Sequence, residues 1–211
     1  MNIITISREF GSGGRELGKR LSDVLGYDYY DNEIITAIAS KRNMSESYVE
    51  NTLDNSAWQA IPLTFGRTFI ANITPLASQS TLLGEQKLVI EDIAKAGKDC
   101  IIVGRDADVI LAQYKPFRIF VCADMAAKVK RCMERSDADE KLTQKSIEQR
   151  ILRIDKNRIS VREMILGSKW GDRAGYDLII NTTSWSIKEL APAVAEFVKC
   201  WLDRKKDCAS V

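Results

Sequence analysis

The residues best suited to chemistry lie close to the N-terminus. Gly11-Ser12-Gly13-Gly14 puts three glycines and a hydroxyl into four positions, and glycines that take positive φ let a backbone wrap its N–H groups around a phosphate. Arg8 and Arg15 flank the run with guanidinium groups, whose planar donor forks suit phosphate oxygens. Glu16 is the nearest carboxylate that could share in holding a metal ion. An ordinary strand-to-helix turn has the same composition, with Arg15 and Glu16 as solvated charges at a helix start. Two further clusters combine arginine with carboxylate, Gly104-Arg105-Asp106 and Asp155-Lys156-Asn157-Arg158. Each could grip a phosphorylated ligand through the arginine while the acid orients it or accepts from an amine or a sugar hydroxyl. Each also reads as surface charge. The chain contains no histidine, which excludes His-based triads and His-ligated zinc and leaves acid–base work to carboxylates, Lys or Tyr.

Two phosphate-binding patterns compete for the glycine turn. The dinucleotide fingerprint G-x-G-x-x-G is met at Gly11 and Gly13 and fails at its third glycine, where Glu16 stands. The P-loop pattern G-x-x-x-x-G-K-[ST], with Gly13 as its second glycine, has Arg8 in place of the first glycine, Gly14 in place of the lysine and Arg15 in place of the hydroxyl residue. In a P-loop the lysine neutralises charge on the transferring phosphoryl and the hydroxyl holds Mg²⁺. The turn is therefore P-loop-like with its charge-bearing positions altered. Arg15, with Arg8 at the base of the loop, is the nearest substitute for the cation. Another register, Gly13 to Gly18 followed by Lys19, matches more letters but begins beyond the strand and runs through an evident helix.

The surrounding pattern supplies a scaffold. Ile3 to Ser7 is apolar on both faces, as a central strand of a parallel sheet requires. The spacing of Leu17, Leu21, Val24 and Leu25 predicts a helix over Arg15 to Leu25, stopped by Gly26. A short strand over 27–30 and a helix over 32–42 follow. Residues 43–80 carry two of the four prolines and a patch of Trp58, Phe65 and Phe69, and are expected to form a mainly helical insertion. Next come a helix over 81–96, strands over 100–103 and 117–122, and a helix over 124–136. A long basic helix over 143–166 leads to a last strand over 177–181. Ser186 and Glu189 form a capping box that opens the C-terminal helix, with residues 204–211 as a frayed tail. Strands alternating with helices imply right-handed βαβ units and an open sheet covered on both faces. Ligands of such sheets sit beyond the carboxyl ends of the strands, where both the glycine turn and Arg105-Asp106 fall.

Composition narrows the class. The 211 residues suit one domain, 1–211, and 31 basic against 29 acidic residues leave a net charge of only +2. No global pull toward nucleic acid or an anionic membrane is expected, so any anion site must be local. The five cysteines are an odd number without a C-x-x-C pair, which fits reduced thiols and a cytoplasmic location. No apolar stretch approaches the length of a spanning helix.

The run Ile4-Thr-Ile-Ser-Arg-Glu-Phe-Gly-Ser-Gly-Gly-Arg-Glu-Leu-Gly18 resembles the opening of the cytidylate kinase-like proteins. Gly104-Arg105-Asp106, Asp155 to Arg158 and Asn181-Thr-Thr-Ser-Trp-Ser-Ile-Lys-Glu189 extend the resemblance in the same order over most of the chain. The resemblance implies a P-loop-kinase-like three-layer α/β domain. Its central parallel sheet would have about five strands, with a helical acceptor lobe near 43–80 and a basic lid near 137–172. Gly11, Ser12, Gly13, Gly14, Arg15 and Arg8 would hold phosphate. Arg105, Asp106, Asp155 and Arg158 would hold the acceptor, Arg15 and Arg158 would be catalytic, and Glu16 would help to hold metal. The implied reaction moves the γ-phosphoryl group of ATP, with Mg²⁺, to a nucleoside monophosphate, CMP first. A nucleotide-binding regulator that lost the loop lysine, or a kinase for another small acceptor, remains open, as does the oligomeric state.

Overall fold

The computed structural model describes residues 1–54, 73–135 and 143–208. The element order is β1 (Ile3–Arg8), α1 (Gly14–Leu25), β2 (Asp28–Tyr30), α2 (Asn32–Arg42), α3 (Glu46–Asp54), α4 (Ile73–Lys95), β3 (Cys100–Val103), α5 (Ala107–Ile110), β4 (Phe117–Cys122), α6 (Met125–Glu134), α7 (Gln144–Leu166), β5 (Leu178–Asn181) and α8 (Ile187–Cys208). Five parallel strands run in the order β2-β3-β1-β4-β5. The sheet thus has β1 at its centre, hydrogen-bonded to β3 on one side and β4 on the other.

Strand periodicity sends alternate residues to opposite layers. Ile4, Ile6, Ile101, Val103, Phe117, Ile119 and Val121 face α1 and α8, meeting Leu17, Leu21, Ala191, Ala195 and Val198. From the other face Ile3, Cys100 and Ile102 pack with Ile34 and Ile38 of α2 and with Leu82 and Ile90 of α4. This gives the expected three layers. A smaller cluster of Val129, Ile147 and Ile151 joins α6 to α7, with Phe10 packed against it from the loop after β1. Strands with apolar residues on both faces were required for this arrangement, and β1, β3 and β4 supply them.

Two boundaries differ from the sequence reading by more than two residues, and one short helix is additional. Helix α4 begins at Ile73 instead of residue 81. Pro75 hid its start, yet a proline in the first helical turn removes a donor that has no helical partner there. Helix α8 continues to Cys208, since Arg204, Lys205 and Lys206, placed in the tail by the sequence reading, are good helix formers. The single turn α5 after Asp106 was not anticipated. Trp58, Phe65 and Phe69 lie outside the described residues.

Candidate functional site

After Arg8 the chain turns through Glu9-Phe10-Gly11-Ser12-Gly13 into α1. The Glu9 N–H donates to Val121 O at 3.0 Å, one residue beyond the β1–β4 ladder. Ser12 folds back, its N–H and hydroxyl donating to Glu9 O at 3.3 and 2.8 Å. Gly13 caps α1 at a left-handed φ of 86°, and no side chain caps the helix. A Cβ at Gly13 would lie 2.6 Å from Ile187 Cδ1, so conformation and room both demand glycine. The first-turn N–H groups of α1 have no helical acceptor, the arrangement by which a helix start can receive an anion. Buried Thr182 braces the loop from behind, its hydroxyl donating to Ser12 O at 2.7 Å.

Beneath the loop lies a cluster that the sequence reading missed. Lys128 of α6 is buried, with Nζ 3.0 Å from Glu9 Oε2 and 3.5 Å from Asp155 Oδ2. Glu9 Oε2 also accepts from the Ala123 N–H at 3.2 Å. Asp155 Oδ1 accepts the Phe10 N–H at 2.7 Å, while Arg158 Nη1 donates to Arg8 O at 3.0 Å. Helix α7 is therefore bonded directly to the loop backbone. The Phe10 ring lies under the guanidinium groups of Arg150 and Arg158, at 5.8 and 5.9 Å. Burial raises the pKa of Asp155, opposed by the Phe10 N–H and by Arg158. Its carboxylate serves the loop and is not among the cavity walls, which departs from the acceptor role the resemblance implies.

Arg8 extends toward the carboxyl end of β3, with Nη2 3.4 Å from Asp31 Oδ1. There the backbone of Gly104, Arg105 and Asp106 is left-handed, with φ of 72°, 59° and 54°. Two consecutive non-glycine residues in that region are strained, and surrounding bonds hold them. Gln86 of α4 donates to Arg105 O at 3.0 Å. Arg162 of α7 is buried, donates to Asp108 at 3.0 and 2.6 Å, and lies 3.6 Å from Asp106. A Cβ at Gly104 would fall 1.8 Å from Arg8 Nη1, so the guanidinium occupies the space that this glycine leaves. Burial, then Arg158, lowers the Arg8 pKa to about 9, with Asp31 opposing. The group stays charged at neutral pH but is under-compensated. Burial raises the Asp106 pKa to about 6, opposed by Arg162 and reinforced by Asp108.

Loop, Gly104 turn, α4 and α7 enclose one cavity of about 530 Å³. Of the anticipated residues, Arg8, Gly11, Gly13, Gly14, Arg15, Arg105, Asp106 and Arg158 line it, whereas Ser12 is buried beneath. Arg15 is half-exposed and shares Asp31 with Arg8: its Nε pairs with the second oxygen of that carboxylate, and its Nη2 donates to Asn32 at 3.2 Å. Glu16 does not fit a metal ligand. Its Oε1 lies 2.9 Å from Arg20 Nε and its Oε2 pairs with Arg135. Among the described residues no three His, Cys, Asp or Glu side chains gather as a metal set. Gly18 and Lys19 answer to other demands, since a Cβ at 18 would lie 2.7 Å from Val103 Cγ2 and Lys19 pairs with Asp23 at 2.9 Å. Trp170 both packs, edge-on to Phe120 at 5.2 Å, and lines the cavity. Arg131 of α6 and Arg135, which follows that helix as its C-cap, also reach it. Arg131 is held by Thr182, with Nη1 3.1 Å from its hydroxyl.

A family model described as the cytidylate kinase-like family matches residues 3–184. Among curated proteins, none matches. The crystal structure of an uncharacterized protein from Eubacterium ventriosum superposes with a TM-score of 0.66 at 23% identity, covering 94% of this chain and 99% of that one. Shikimate kinase from Bacteroides thetaiotaomicron superposes at 0.57 with 11% identity, covering 94% and 98%. A sugar kinase from Janibacter sp. does so at 0.52 with 14% identity, covering 96% and 95%. At these identities the likeness is one of fold, that of the P-loop kinases. With the family model spanning both the glycine loop and the Gly104 turn, the chain belongs to the cytidylate kinase-like family.

Proposed function

We propose that this protein is a phosphotransferase that binds ATP over the loop of residues 9–14 and transfers its γ-phosphoryl group to a small phosphorylated acceptor, CMP being the first candidate. One observation carries the reading. The glycine loop and the Gly104-Arg105-Asp106 turn open on a single cavity lined by seven arginines (8, 15, 105, 131, 135, 150 and 158) against three carboxylates (9, 50 and 106). Such an excess of fixed cations favours ligands with several negative charges, and phosphoryl transfer asks of a protein mainly position and charge neutralisation. Arg105 and Arg158 supply donor forks for an acceptor phosphate, and Asp106 an acceptor for an amine or hydroxyl. Residues of α3 and α4, Leu53, Leu83 and Gln86, form the wall farther from the loop. In this reading α7 is the lid and α3 with α4 the acceptor lobe.

ATP fits the uncapped start of α1. Mg²⁺ finds no protein cage among the described residues, which suits an ion that arrives on substrate phosphates, and no step here depends on a protein ligand to it. The family resemblance favours a nucleoside monophosphate acceptor. The missing loop lysine favours a second reading, a nucleotide-binding regulator without transfer. The deciding experiment incubates the pure protein with Mg²⁺ and γ-labelled ATP against CMP, UMP, AMP, GMP and dCMP, with shikimate and hexoses as hydroxyl controls. Label on a nucleotide supports the proposal. ATP binding with no labelled product from any acceptor supports the regulator.

A further inference from the structure

We infer that Arg8 and Gly14 are a reciprocal exchange: the cation that a standard P-loop carries on its lysine is carried here by the residue at the loop's first position. This rests on the reading of the cavity as a phosphate site. In the pattern G-x-x-x-x-G-K the first position is glycine and the seventh lysine, whereas here the first is Arg8 and the seventh Gly14. The geometry shows why the two changes belong together. A Cβ built at Gly14 would lie 2.7 Å from Arg8 Cβ and 3.3 Å from Arg8 Cγ and Cδ. The stem of Arg8 thus runs through the space from which a lysine at 14 would start. Gly14 is the first residue of α1 and its φ is not left-handed, so backbone conformation does not demand glycine there. Only the Arg8 stem does.

Other cations fit the role less well. Arg15 shares Asp31 with Arg8 but is half-exposed, and its other partner, Asn32, does not line the cavity. The ammonium of Lys128 lies below the loop between Glu9 and Asp155 and does not line the cavity. Lys19 pairs with Asp23 on the outer face of α1. Arg8 ends β1 at the base of the loop, lines the cavity, has a side chain only 10% exposed, and meets its carboxylate partner at a loose 3.4 Å. Burial and the nearby Arg158 and Arg105 leave its charge under-compensated, a condition that an incoming polyphosphate relieves.

The test compares wild type with R8G, R8K, G14K and the double variant R8G/G14K. Inorganic tripolyphosphate and metal-free ATP are titrated by calorimetry, with thermal denaturation as a check on folding. R8G is expected to weaken tripolyphosphate binding at least tenfold, and G14K alone to bind poorly because its side chain collides with Arg8. The double variant, a standard loop at both positions, should return to within about threefold of wild type. R8G binding within twofold of wild type overturns the inference, as does a folded double variant no better than R8G. Wild type that binds neither probe also overturns it. Should the double variant not fold, R8K decides: affinity nearer wild type than R8G supports the exchange, and affinity equal to R8G sinks it. Rescued binding with no transfer to any acceptor would defeat the phosphotransferase reading while leaving the exchange intact.

Discussion

The backbone N–H of Phe10 donates to Asp155 Oδ1 at 2.7 Å, joining the glycine loop to a helix 145 residues away. The same carboxylate holds Lys128 with its second oxygen, so one side chain fixes loop, α6 and α7 together. Asp155→Asn removes the charge and keeps the shape. It should cost about 1–3 kcal/mol in denaturant unfolding, the scale of a hydrogen bond to a charged group. Amide exchange at Phe10 should accelerate by tenfold or more. Unchanged exchange at that amide would show that Asp155 does not hold the loop.

Gly104 makes a second coupled site. Gly104→Ala meets both a left-handed φ of 72° and the Arg8 guanidinium at 1.8 Å. The conformational part costs about 1 kcal/mol, and the collision must displace Arg8. Combined with Arg8→Ala, the loss of stability should fall well short of the sum of the two single losses, because the obstacle is gone. Additive losses would place the damage elsewhere.

Asp106 sets a pH dependence. Its pKa rises from 3.8 to about 6 on folding, so between those values the folded protein holds a proton that the unfolded chain has released. Stability from this group is present at low pH and declines as pH rises through about 6. Asp106→Asn lacks that decline. Relative to the variant, wild type should lose on the order of 2 kcal/mol between pH 4 and pH 7.5 in urea unfolding. A difference independent of pH would refute the raised value.

For Arg15 the structure changes the expectation. Because its guanidinium faces Asp31 and Asn32 at the β2–α2 junction, Arg15→Ala should leave ATP affinity and kcat within about threefold. Stability should drop by about 1 kcal/mol, as for a partly exposed ion pair. A hundredfold fall in kcat at unchanged affinity would restore Arg15 as the loop's catalytic cation and count against Arg8.

The sequence announced most of the scaffold because β1, β3 and β4 are buried on both faces and read as apolar runs ended by glycine or a charged turn. Their register and order are tertiary facts, and the start of α4 was hidden by a proline at a tolerated position. In the site, Gly11 and Gly13 were legible because left-handed backbone leaves few alternatives. Lys128 was not, for nothing in Lys128-Val129-Lys130 separates an ammonium buried under the loop from one in solvent. Asp108 and Arg162, 54 positions apart, likewise form a buried pair that only folding reveals. The Arg8–Gly14 relation was spelled in the motif comparison as two separate departures. Only the overlap of one stem with one absent side chain makes them a single change.

The central place of β1 bears on synthesis. This strand is synthesised before either of its partners, β3 and β4, which end at Val103 and Cys122. At about 5–20 residues per second, roughly 6–23 s pass before the second partner has been made. Throughout that interval Ile3, Ile4 and Ile6, all buried in the finished protein, are available to any holdase or neighbouring nascent chain. Shaping of the glycine loop must wait longer still, because its outside partners are the carbonyl of Val121, the amide of Ala123, the carboxylate of Asp155 and the hydroxyl of Thr182. Any ligand held by that loop could therefore assist only a late stage of biogenesis, and substitutions that weaken the β1–β4 pairing should reduce soluble yield before they reduce the affinity of whatever folds.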